Sequence, residues 1–169
     1  MGTTTVIIIA VFSALMIAIS FGIGVWSKKK ANTAHNLILF HLMGQHVNYR
    51  QRYPKGRGQF RADDYKDRRP ELNHYQRRVL SEYDNATLYN DSIVDQIVRR
   101  FANEDAIVIY VPDHGEECFE GSRGFICRNH SAAIDYDLAH YEFEVPFWIW
   151  CSKSMISKHP DLYQEIRAA

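Results

Sequence analysis

The chain has 169 residues, 46% hydrophobic and 24% charged, the length and composition of one globular domain. Its twenty Lys and Arg balance its twenty Asp and Glu, so the basic excess that a nucleic-acid partner requires is missing and that class is set aside. Every charged residue follows position 27, and this asymmetry shapes the reading of the N-terminal end.

Val6 to Trp26 carries no charge and is long enough to cross a bilayer core, which takes about 20 helical residues. The expectation is a transmembrane helix with its basic flank over residues 1–30, followed by a globular part over 31–169. An uncleaved anchor is favoured over a signal peptide. Met1 to Thr5 has no basic residue, and the apolar stretch exceeds the usual core of about 7–15 residues. Ala10, Ala14, Ala18 and Gly22 recur at every fourth position and form a small-residue ridge on which another membrane helix would pack. Trp26 suits the interface. Lys28, Lys29 and Lys30 follow the span, and the positive-inside rule alone places the rest of the chain in the cytoplasm.

Asn36 to Leu42 is a short apolar run ending at Met43-Gly44-Gln45-His46, which predicts a strand with a histidine just past its end. His41, inside the run, is expected as a core histidine hydrogen-bonded to a neighbour. From Asn48 to Pro70 the composition is that of a long exposed loop, with Pro54-Lys55-Gly56-Arg57-Gly58 as a turn cluster. Arg50, Arg52, Lys55, Arg57 and Arg61 have the chemistry to meet phosphate or an anionic headgroup, although each taken singly reads as solvated. Pro70 suits a first helical turn. Val79, Tyr83, Ala86, Ile93, Ile97 and Phe101 then trace the apolar face of a long helix, with Asp84 and Asn85 as helix-surface or helix-to-loop contacts.

Ala106 to Val111 reads as a central strand of a parallel sheet, closed by Pro112. Ligands of open α/β sheets collect past the carboxyl ends of such strands, and Gly115 lets the chain bend so that Asp113 and His114 face one point. A carboxylate beside an imidazole suits zinc. A solvated Asp-His turn is the competing reading. If the strands are parallel, His46 lies at the same sheet edge as Asp113. A further strand is expected near 147–151 and a terminal helix near Pro160-Asp161, and the order of elements gives an α/β layered fold.

Together the segments resemble the phosphoethanolamine transferases of bacterial envelopes, members of the alkaline phosphatase and sulfatase superfamily. The matching residues are His41-Leu42-Met43-Gly44-Gln45-His46, Arg52-Tyr53-Pro54, Tyr83-Asp84-Asn85 with Asp91, Asp113-His114-Gly115-Glu116 and Val145-Pro146-Phe147. The resemblance implies a partial sulfatase-like, alkaline-phosphatase-like sheet layered with helices, preceded here by the one transmembrane helix. It implies zinc as cofactor, Asp113 and His114 as its ligands, and His46 as a contact of the phosphoryl group. His130 and His140 are both candidates for a further substrate-contacting histidine. It also implies a phospholipid donor, a lipopolysaccharide acceptor and a place in the bacterial inner membrane with the globular part in the periplasm, against the positive-inside rule. In that oxidising compartment Cys118 and Cys127 are placed to form a disulfide, with Cys151 a buried free thiol. Glu116 and Glu117 are candidates for orienting His114.

The family's nucleophilic threonine has no counterpart that can be carried over. Thr3, Thr4 and Thr5 precede the apolar span and Thr33 sits in a short linker. Three readings stand: a truncated zinc-dependent transferase, inactive unless an upstream fragment supplies the nucleophile; a non-catalytic, membrane-tethered remnant; or a sulfatase or phosphodiesterase of the same superfamily.

Overall fold

A computed structural model of the protein describes residues 4–11, 35–121, 124, 126–127 and 136–169. The chain divides into two compact units. One takes residues 1–42, 94–113 and 146–169, and the other 43–93 and 114–145.

The first unit is built on the strands β1 (Thr4–Val11), β2 (His35–Leu42), β3 (Ala106–Pro112) and β6 (Trp148–Cys151). They form one four-stranded sheet in the order β2-β1-β3-β6. β1 lies between β2 and β3 and is parallel to both, with Thr4 opposite His35 and Thr5 opposite Ala106. This corrects the expected membrane helix over its first residues. Thr4 to Ile9 are six consecutive β-branched residues, whose stiff side chains favour a pleated strand. A strand covered on both faces is as uniformly apolar as a membrane span. The remainder of the expected span, from position 12 to 26, lies outside the described residues. Among the described residues no helix is long and apolar enough to cross a membrane.

β3 is central, as expected, and β6 pairs with it antiparallel, Tyr110 opposite Trp148 and Ile107 opposite Cys151. The Tyr110 and Trp148 rings stack at 5.1 Å. Ile7, Ile9, Ala106 and Val108 are fully buried, and Val94, Ile97, Val98 and Phe101 belong to the same core. Each large aliphatic side chain removed from water there contributes roughly 1.5–3 kcal/mol. His41 is exposed rather than part of this core. β2 is an edge strand, and its alternation gives Ile38, Phe40 and Leu42 to the core while Leu37, Leu39 and His41 face outward.

Ser152, wholly buried, joins β6 to the helix α3 (Lys153–Lys158). Its Oγ donates to the Glu104 carbonyl at 2.7 Å and accepts from the amides of Ala106 and Met155 at 3.2 and 3.0 Å. It thereby caps α3, and α4 (Pro160–Ala168) is the expected terminal helix. The buried Asp105 carboxylate is flanked by Lys158 Nζ at 3.5 Å and His159 Nε2 at 3.4 Å.

α1 (His74–Arg100) supplies residues to both units. It begins four residues later than Pro70 suggested. Asn73 Oδ1 accepts from the Gln76 amide and Gln76 Oε1 from the Asn73 amide, each at 2.9 Å, a reciprocal box that sets the start. The second unit holds the first five turns of α1, the segment before it with 3-10 turns at Tyr49–Gln51 and Ala62–Tyr65, the two-residue strands β4 (Glu117–Cys118) and β5 (Ile126–Cys127), and α2 (Tyr136–Phe143). Tyr49, Tyr53 and Ala86 are buried in one cluster, and Tyr65, Leu72, Leu80, Cys118 and Phe119 in another.

Candidate metal and phosphate site

Pro112 ends β3, and Asp113 and His114 follow directly, the first exposed and the second half-buried. His114 Nδ1 lies 2.6 Å from the Gly115 carbonyl oxygen. A carbonyl only accepts, so Nδ1 carries the proton, and in the neutral ring Nε2 holds the lone pair. Metal-bound histidines characteristically donate their second N–H to a carbonyl or carboxylate in this way. Zinc is therefore compatible with this pair, which offers one oxygen and one nitrogen of the usual four ligands. Among the described residues no group of three or more His, Cys, Asp or Glu is placed to hold a metal ion.

The turn is fixed by α2, within the second unit. The Gly115 amide donates to the Glu142 carbonyl at 2.8 Å, and a Cβ at position 115 would run into the Tyr141 carbonyl oxygen. Glycine is needed here for close approach of two backbones. Tyr49 Oη donates to Glu116 Oε2 at 2.5 Å, so the residue after the turn is tied to the segment that comes after β2. Neither contact could be read from the sequence. Tyr49 lies between two recognisable motifs, and only the glycine hinted at the approach of α2.

His46 lies half-buried in the loop after β2. Arg52 Nε donates to the His46 carbonyl at 2.9 Å and Arg52 Nη2 to the Val47 carbonyl at 3.0 Å. The arginine expected to meet phosphate is instead engaged in fixing the backbone that carries His46. His140 is exposed near the end of α2, its ring 3.8 Å from that of Tyr141. His130 falls outside the described residues.

Buried ionisable groups surround the Glu116 segment. Burial above all, and then the carboxylates of Glu120, Glu116 and Asp84, push the Cys118 thiol well above the usual range. Burial, then Cys118 and Glu116, raise the Tyr83 phenol, against hydrogen bonds from Gln45 and Thr87. Cys118 is a free thiol opposite Ile126 in the β4–β5 register, which corrects the expected disulfide. The buried, neutral thiol is inert rather than poised for exchange. Cys151 is free as expected, half-buried at the end of β6.

The family profile described as Sulfatase matches residues 23–163. The phosphoethanolamine transferase EptC of Escherichia coli K12 is 34% identical over 134 residues, 77% of this chain and 22% of that protein. The Kdo(2)-lipid A phosphoethanolamine 7''-transferase of the same strain is 30% identical over 118 residues, 69% of this chain and 19% of that protein. The chain thus spans about a fifth of the length of these relatives. Among solved structures, the C-terminal periplasmic domain of E. coli EptC superposes with a TM-score of 0.65 at 32% identity, over 81% of this chain and 38% of that one. A zinc complex of that domain gives 0.68 at 24% identity, over 98% and 53%, a likeness of fold alone.

Proposed function

The chain belongs to the sulfatase family, with homology to the phosphoethanolamine transferases, and from that premise we propose that it is a part of a zinc-dependent transferase of phosphoethanolamine from phospholipid to a lipopolysaccharide acceptor. The observation that carries this reading is the Asp113-His114-Gly115 turn at the carboxyl end of a central strand. There the histidine proton is assigned by the Gly115 carbonyl and the backbone is locked against Tyr141 and Glu142. Zinc held there would supply positive charge to a phosphodiester as charge develops in the transition state. Asp113 and His114 bind it, and Gly115 keeps the His114 ring in orientation. His46 contacts the phosphoryl group, its main chain held by Arg52. His130 and His140 remain the candidates for a second contact with substrate.

The reading includes a periplasmic site of action at the bacterial inner membrane, supported by relatives solved as periplasmic domains. It also holds that this chain does not complete the transfer alone. Among the described residues Asp113 and His114 are two of the three protein ligands that a catalytic zinc takes, and the resemblance assigns none of the chain's threonines as nucleophile. A non-catalytic, membrane-tethered remnant is the second reading.

Calorimetric titration of the chain with zinc, alongside a transfer assay with a phosphatidylethanolamine donor, tests both. Weak binding lost in Asp113→Ala and in His114→Ala, with no transfer until an upstream fragment is added, is the expected result. Zinc binding unchanged in both variants would exclude the metal site. Steady transfer by the chain alone would exclude the need for a second fragment.

A further inference from the structure

Residues 1–62 hold eight of the twenty Lys and Arg and none of the twenty Asp and Glu, so the neutral chain conceals a steep gradient of charge. Five of those eight cations fall between Arg50 and Arg61, and they are not equivalent. Arg52 is engaged with the carbonyls of His46 and Val47, and Arg50 folds back over the Tyr53 ring at 4.8 Å. Lys55, Arg57 and Arg61 are exposed, and Phe60, between the last two, keeps 37% of its surface exposed.

The backbone beneath them is held firmly. Asn85, buried in α1, accepts from the amides of Gln59 and Phe60 at 2.6 and 2.9 Å and donates to the Phe60 carbonyl at 2.9 Å. Gly58 sits so close to Tyr53 and Asn85 that a Cβ would come within 3.1 and 3.3 Å of their side chains. Tyr49 and Tyr53 are buried. A loop that only kept the chain soluble would not need three hydrogen bonds from a buried amide. Nor is it a nest of free backbone amides for a single phosphate. Here the amides of Gln59 and Phe60 are given to Asn85, and that of Arg57 to the Pro54 carbonyl at 3.1 Å. What remains is a held backbone that carries three exposed cationic side chains and an exposed aromatic ring between Lys55 and Arg61, just ahead of the exposed Asp63 and Asp64, a run of long cations suited to an extended plane of negative charge.

We infer that the Lys55–Arg61 run is a docking surface for an anionic lipid bilayer, with Lys55, Arg57 and Arg61 on lipid phosphates and Phe60 in the headgroup layer. This goes beyond the transferase reading and does not depend on it, because docking requires no turnover.

The test is amine acylation of the full chain, read at each lysine by mass spectrometry, so that attachment through any other segment does not obscure the result. The reaction is run with phosphatidylcholine vesicles, with mixed phosphatidylcholine and phosphatidylglycerol vesicles, and with inorganic phosphate. Labelling of Lys55 should slow several-fold with the mixed vesicles only, and recover when salt is raised to about 1 M, where the screening length falls to about 3 Å. Lys153, exposed in α3, is the reference and should not change. Arg57→Gln with Arg61→Gln should weaken docking roughly thirtyfold, at about one kcal/mol per cation, and abolish the protection. Both side chains are exposed, and unchanged circular dichroism verifies the fold. Phe60→Ala should weaken it less. Equal protection by neutral vesicles, protection by inorganic phosphate alone, no protection by anionic vesicles, or full protection in the double variant would each overturn the inference.

Discussion

The two units reach their interiors by different chemistry. Ile7, Ile9, Ala106 and Val108 at the centre of the first are fully buried and carry no polar side-chain atom. The second has phenols, a thiol and a carboxamide in the equivalent role, with Tyr49, Tyr53, Tyr65, Asn85 and Cys118 all buried. An aliphatic centre such as Ile7, Ile9, Ala106 and Val108 make is specified by volume, and the polar side chains of Asp105 and Ser152, buried in the same unit, lie at its end where β6 meets α3. A core of hydroxyls and amides is specified by its hydrogen bonds, each of which leaves a costly orphan when one partner is removed. The proposed phosphate-contacting loop and His114 lie in the second kind of unit, where position is set by directed bonds rather than by shape alone.

Three measurements would break or sharpen that contrast. Ile9→Ala opens a cavity beneath the sheet and should cost roughly 2–5 kcal/mol in urea unfolding. A loss well below that range would mean that the first unit's core collapses around the gap. Asn85→Ala removes three hydrogen bonds at once and should cost roughly 1–3 kcal/mol, with faster amide exchange at Gln59 and Phe60. If exchange there is unaltered, the loop is held by Tyr49 and Tyr53 instead.

The smallest effect concerns Tyr65, whose hydroxyl donates to Asp84 and whose phenol is raised by burial, then by that bond and the Asp84 charge. Tyr65, Tyr83 and Cys118 are all raised in the fold, so the folded state favours their protonated forms. Their contribution is complete below the ordinary values, about 8.5 for a thiol and 10 for a phenol, and is lost as pH climbs beyond them. Stability should therefore decline on the alkaline side. Tyr65→Phe should cost about 1 kcal/mol at neutral pH and flatten that decline. An alkaline limb identical in the variant would exclude Tyr65 from it.

The same contrast explains what was legible in the sequence. β3, β6 and α4 are bounded by residues whose punctuation is local, such as Pro112 at the end of a strand and Pro160 at the start of a helix. β1 was obscured because its strand runs directly into further apolar residues, and length then outweighs β-branching in the reading. His41 was misplaced because alternation does not reveal whether a strand is central or at an edge. In the second unit the decisive pairs are Tyr49 with Glu116, Tyr65 with Asp84 and Asn85 with Phe60. Residues that far apart leave no mark in local periodicity. The proposed ligands Asp113 and His114 could be named from the sequence because they are adjacent in it, whereas the contacts that hold their turn, through Glu142 and Tyr141, could not.

The strand order gives the chain a timetable. In a chain that emerges from its N-terminal end β1 precedes β3, so one side of β3 has its partner available at once. Its other side pairs with β6, and Ser152, just beyond, closes that seam by bonding to residues 104 and 106. Until those later residues emerge, one edge of β3 offers unpaired amides and carbonyls to any passing strand. A chain that has passed β3 but not yet β6 therefore displays an adhesive edge, which the arrival of residues 148–152 removes.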